Sequence, residues 1–128
     1  ANVLARKTLF VGGTGGSIGL VLDMVRSGED RIGIMAMLLR QYRILYHMRC
    51  LMDERTPQQA QAGLLGIPPF AVSRTQQQAR RFDRARLREA YDYLMNFEYE
   101  LKAGRMPQDG CVESAMLRLE EILRAERA

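Results

Sequence analysis

A chain of 128 residues, 47% of them hydrophobic, has ample apolar material for one core and is too apolar for an intrinsically disordered segment. Its net charge of +4 permits an acidic partner or nucleic acid without selecting either. Two distant cysteines and one histidine are too few for a structural metal site, and no apolar run nears the roughly 20 residues that cross a bilayer.

Apolar residues recur at helical spacing almost throughout, and about six helices are expected. Residues 1–16 read as a lead-in, flexible or briefly helical through Val3, Leu4 and Leu9, that ends in a glycine-rich loop from Gly12 to Gly16. Ile18, Val21, Leu22 and Val25 then follow at helical spacing, and Gly28 stops them. A longer helix from about Asp30 to Met52 carries Ile34, Leu38, Gln41, Leu45 and Met48 on one face. Met35, Leu39, Tyr42 and Tyr46 line the next face, an arc wide enough for a helix buried on more than one side. Thr56 is expected to cap the following helix in a capping box with Gln59, with Pro57 in the first turn. Glycines 63 and 66 end that helix; Pro68 and Pro69 bend the chain and open another, from Phe70 to Arg81. Asp83 starts a fifth helix with Leu87, Ala90, Tyr91, Leu94, Phe97 and Leu101 facing inward, and Gly104 and Pro107 end it. Asp109 is expected to cap the last, whose inner face is Val112, Ala115, Met116, Leu119, Ile122 and Leu123. Short connections between such helices give an all-α compact bundle, read as a single domain over residues 1–128.

Four features bear on function. The stretch TLFVGGTGGSIGL imitates the strand and glycine turn of a dinucleotide site, where glycines let the backbone approach a pyrophosphate at a helix N-terminus. Nothing after it reads as a strand, so it is taken as a loop between helices. From Thr56 to Arg81 the rhythm is that of a helix-turn-helix, in which Gln76, Gln77, Gln78, Arg80 and Arg81 would meet base edges. A helix pair with a solvated polar face is the plainer reading. Residues 74–88 hold six arginines and one acid, Asp83. That run is either a surface for phosphates or acidic groups, or a helix junction neutralised by acids from elsewhere in the fold.

The fourth feature is Arg40-Gln41-Tyr42-Arg43, polar groups inside an otherwise apolar helix. Buried Arg and Gln need partners, and Glu98 and Glu100 are candidates for an internal network; a contact between subunits is the alternative. His47 has no acid at a catalytic spacing and reads as a spacer. Cys50 and Cys111 read as reduced thiols rather than a disulfide. No catalytic, cofactor or metal site is expected.

The order of several short motifs is more specific than any of them: NV near the start, GED, LLRQYRIL, LGIPPFAV, QARRF and LKAG. From about Asn2 to Leu123 the chain resembles the C-terminal helical domain of the delta subunit of bacterial DNA polymerase III, part of the clamp loader. It departs where the family usually has Asp four residues before the Lys of a Lys-x-Gly motif; here the residues are Glu98, Lys102 and Gly104. The resemblance implies a collar-like bundle forming the C-terminal part of a longer chain. It implies no enzyme activity by itself, but an accessory role in the polymerase holoenzyme in the cytoplasm. It implies joining other clamp-loader subunits in a five-membered collar, with DNA touched weakly or indirectly and the sliding clamp left to a domain outside this chain. Arg40, Gln41, Arg43, Arg80 and Arg81 are expected to include partner contacts, and Glu98, Lys102 and Gly104 to be structural. The alternative is a helix-turn-helix-like DNA-binding domain.

Overall fold

The computed structural model describes residues 21–107 and 109–124, all in helices and the turns between them. The first helix among the described residues, α1, is seen over residues 21–26 and closes at Gly28. Helix α2 (Arg31–Asp53) follows, started by the Asp30 carboxylate, which accepts from the Gly33 N–H at 3.0 Å. Then come α3 (Gln58–Leu65), a 3₁₀ turn (Pro69–Ala71), α4 (Val72–Arg80), α5 (Arg84–Lys102) and α6 (Cys111–Arg124). The count among the described residues matches the six expected from spacing. The lead-in of residues 1–16 and its glycine-rich loop lie outside the described residues.

Helix α2 is the axis of the packing. It lies against α5 along most of its length, meets α4 and α3 on another side, and leaves α6 to pack on α5. The wide apolar arc read from the sequence explains this arrangement. Ile34, Leu38, Leu45 and Met48 are buried with Met35 and Tyr42, while Leu39 and Tyr46 are half-buried. Leu87, Ala90, Leu94, Phe97 and Leu101 fill the same core from α5, and Val112, Ala115, Met116, Leu119, Ile122 and Leu123 do so from α6. Val21 and Met24 of α1 join them. Tyr91, expected inside, is only half-buried at the rim between α5 and α2.

Gln61 and Thr75, the fully buried polar residues on the α3–α4 side, have partners, whereas the enclosed Gln78 Oε1 has none among the described residues. The Gln61 amide donates to the Thr56 carbonyl at 3.2 Å, and its Oε1 accepts from Gln76 Nε2 at 2.7 Å. The Thr75 hydroxyl donates to the Ala71 carbonyl at 2.8 Å. Of these only the Gln76–Gln61 bond joins α4 to α3, and leaving such groups unpaired costs about 1–3 kcal/mol each.

Two expected caps are corrected. Helix α3 starts at Gln58 after Pro57, with no side-chain cap, so Thr56 and Gln59 form no capping box. Thr56 is already committed to the end of α2: its N–H donates to the Leu51 carbonyl at 2.9 Å. Helix α6 begins directly after Gly110, whose carbonyl accepts from the Ser114 N–H at 3.0 Å. Asp109 therefore stands one residue ahead of the position assigned to it.

The end of α2 holds an unusual residue. Arg55 has φ 57° and occupies the left-handed position that Gly104 (φ 74°) occupies after α5. Both ends close with the same paired bonds: Arg55 N–H to Met52 and Thr56 N–H to Leu51, against Gly104 N–H to Leu101 and Arg105 N–H to Glu100. A side chain at positive φ is strained by roughly 1–2 kcal/mol. Arg55→Gly is therefore expected to raise stability by about 0.5–1 kcal/mol after the added freedom of the unfolded glycine is deducted. Urea unfolding checks this, and a loss of stability would mean that the Arg55 side chain contributes more than its strain removes.

Candidate interaction surface

The Arg40–Arg43 segment is divided by the 100° turn between successive helical residues. Gln41 and Tyr42 point inward, at 6% and 5% exposure, while Arg40 and Arg43 are exposed. Gln41 is thus a core residue and does not offer itself to a partner. Burial pushes the Tyr42 hydroxyl far above the usual phenol range, so it stays neutral. The expected network from these arginines to Glu98 and Glu100 is absent. Glu98 pairs with Lys102 one turn on, at 3.5 Å, and Glu100 pairs with Arg105 at 3.1 Å. Partners on or just past the same helix are closer than the outward-facing arginines of α2.

Ala36, Arg40, Arg43 and His47 form one exposed stripe along α2, at successive spacings of four, three and four. At its C-terminal end the stripe meets an aromatic cluster. The His47 ring lies 5.5 Å from Tyr46 and 6.1 Å from Tyr91, and the Arg88 guanidinium sits 5.5 Å over Tyr46. Arg88 Nη1 also donates to the Tyr46 hydroxyl at 3.3 Å, and its Nε reaches both Asp92 oxygens at 3.1 Å. Partial burial, then the charges of Arg43 and Arg88, hold the His47 pKa below its ordinary 6.5. The unfolded chain therefore binds a proton there more readily than the folded one. His47 begins to destabilise the fold as pH falls through about 6.5 and adds nothing above it. As the sole histidine it gives a single NMR titration. Its midpoint is expected below 6.5 and should rise in Arg43→Ala; an unshifted midpoint would remove the electrostatic account.

The run of arginines from 74 to 88 separates into two parts. Arg84 pairs with Asp53 of α2 at 3.8 Å, Arg86 with Glu89 at 2.9 Å and Arg88 with Asp92 at 3.1 Å. This part is a neutralised helix junction. Arg80 and Arg81 are exposed, and no carboxylate among the described residues lies within ion-pair distance of either, nor of Arg40.

The recognition-helix reading loses two of its five residues. Gln76 is tied to Gln61, and Gln78 is half-buried with its Oε1 enclosed. Gln77, Arg80 and Arg81 remain exposed. The leading end of α4, which a recognition helix puts into the major groove, instead presents Pro69 and Phe70. Sequence reasoning missed Phe70, exposed at 75%, and Leu64, exposed at 65%. Beside Phe70 an open cleft of about 360 Å³ is lined by Gln58, Gln59, Ala62, Pro69 and Val72. The sequence signal nearest to Phe70 is the preceding Pro-Pro, which places it in a turn between helices.

Gly104 closes α5 in the left-handed conformation, with Lys102 and Glu98 paired one turn before it. No disulfide joins Cys50 and Cys111. Among the described residues there is no cluster of three or more His, Cys, Asp or Glu side chains suited to a metal. None of the described helices is long and apolar enough to cross a membrane. The described part also has no strand, so the glycine-rich TLFVGGTGGSIGL stretch, outside the described residues, has no βαβ unit among them to serve.

These features define a helical packing domain, with its distinctive chemistry in exposed arginines and aromatic side chains. The family described as DNA polymerase III delta subunit, C-terminal domain, matches residues 8–119, and the chain belongs to that family. DNA polymerase III subunit delta of Bacillus subtilis (strain 168) is 28% identical over 103 residues, which are 80% of this chain and 30% of that protein. The solved structure of the Bacillus subtilis DNA clamp loader delta protein is similar over 93% of this chain and 35% of its own, with TM-score 0.76 and 25% identity. The chain thus spans about a third of the length of these relatives. The all-α, clamp-loader-delta-like fold expected from the sequence is the fold observed.

Proposed function

We propose that this chain is a non-catalytic assembly module, the collar part of a DNA replication clamp loader. In this reading it joins the delta subunit to the other clamp-loader subunits so that the sliding clamp can be loaded on DNA. The observation that carries it is a helical body of the delta C-terminal family whose Arg40, Arg43, Arg80 and Arg81 stand exposed. Arginine is favoured at protein interfaces because its planar fork binds carboxylates in pairs and its stem covers apolar surface. Arg40, Arg80 and Arg81 lack a carboxylate within the described fold and so retain their capacity for one outside it. The module works in the cytoplasm, touches DNA weakly or indirectly, and leaves the sliding clamp to another part of the subunit.

The test is to mix the full protein carrying this chain with the ATPase subunits of its clamp loader. Mass is then measured by size-exclusion chromatography with light scattering. Co-migration at a defined stoichiometry is the expected result. Two folded components that elute separately would defeat the proposal.

A further inference from the structure

From Arg55 to Phe82 the chain carries four arginines and no carboxylate. This segment builds α3, the Pro-Pro turn and α4, and it also bears the two most exposed apolar side chains described outside the bundle's main core, Phe70 and Leu64. The two kinds of group are arranged in order. Phe70, Arg74, Gln77 and Arg81 are all exposed and follow one another at spacings of four, three and four, so they line one stripe that runs from the 3₁₀ turn along α4 to the residue that caps it. Its apolar end is Phe70 beside the α3–turn cleft, and its basic end is Arg81. At 1.5 Å per residue the stripe is about 16 Å long, three turns of helix.

Phe70 is also pre-organised. Pro68 has φ −63° and Pro69 opens the 3₁₀ turn, so the ring is presented from a backbone with little freedom left to lose. Rigid exposed aromatics beside a cleft are typical anchors of protein interfaces.

We infer that the α3–α4 face is a docking surface for an acid-bearing amphipathic helix of a neighbouring clamp-loader subunit. The partner helix lays an apolar residue on Phe70 and sets carboxylates against Arg81 about three turns away. The inference rests on the assembly function proposed above and adds to it the surface and the chemistry of the partner. Charge decides the sign of the partner: a segment with no carboxylate of its own cannot complement a basic helix. The assembly function proposed above decides its class as a protein helix; bases also stack on exposed aromatics, and the crosslink described below tells the two apart.

The experiment uses the full protein carrying this chain with its ATPase clamp-loader subunits, and has three parts. A photo-crosslinking amino acid replaces Phe70, and the captured peptide is identified by mass spectrometry. The affinity of Phe70→Ala and Arg81→Glu for the partners is compared with wild type. Circular dichroism melts confirm folding, which neither exposed position should alter. The expected result is a crosslink to an acidic, helical segment of a partner subunit, with assembly weakened about tenfold or more by each substitution. If wild type assembles but both variants match it, or the crosslink lands on DNA or on a second copy of this chain, the inference is overturned and the assembly function stands. If wild type itself does not assemble, both are overturned.

Discussion

Replacing Leu94 with alanine is expected to lower the unfolding free energy by about 3 kcal/mol and Tm by roughly 10 °C. Leu94 is 0% exposed in the middle of α5, the helix that packs on both α2 and α6. Truncation there opens a void whose walls are set by two other helices, so the site cannot collapse to fill it. Alanine favours helix at least as well as leucine, so backbone propensity does not contribute to the loss. The adjacent Met95 is 44% exposed, and Met95→Ala should stay within about 0.5 kcal/mol. Urea denaturation of both variants gives the comparison. A loss below about 1 kcal/mol at Leu94 would mean that α5 is not enclosed from both sides.

The same contrast shows what the sequence could reveal. Leu87, Ala90, Leu94, Phe97 and Leu101 were legible as a buried face because burial of apolar area is the dominant local constraint on a helix of this length. Pro57, Pro68 and Pro69 and glycines 28, 66 and 104 marked the connections because they act on φ directly, whereas Gly63, also expected to end α3, lies inside that helix. Caps were less legible. Thr56 suits a cap by side chain, yet its N–H was already used in closing α2, a competition between neighbouring helix ends that composition does not show. Surface electrostatics was the least legible. Arg84 and Arg80 look alike in sequence, but only Arg84 finds Asp53, which the fold brings from the end of another helix. Phe70 shows the converse: an aromatic reads as core until the turn that carries it is seen to face water.

Arg40→Glu combined with Arg43→Glu is expected to leave the fold intact and weaken assembly with the partner subunits by about tenfold to a hundredfold. Both side chains are exposed on α2, and neither forms an ion pair among the described residues, so reversal breaks nothing within the fold. Loss of stability should remain within about 0.5 kcal/mol, with His47 freed from one cationic neighbour as a local reporter. Each reversal lowers the charge by two, so the pair takes the chain from +4 to neutral. A matched control is therefore needed. Arg26→Glu with Arg118→Glu makes the same change in net charge at two arginines that already pair with Asp23 and Glu121. If the control weakens assembly as much as the α2 pair, the effect comes from net charge acting at a distance, which salt screens strongly. If only the α2 pair acts, and does so through faster dissociation, Arg40 and Arg43 lie in the contact itself, because close charged contacts govern dissociation while remote charge governs encounter.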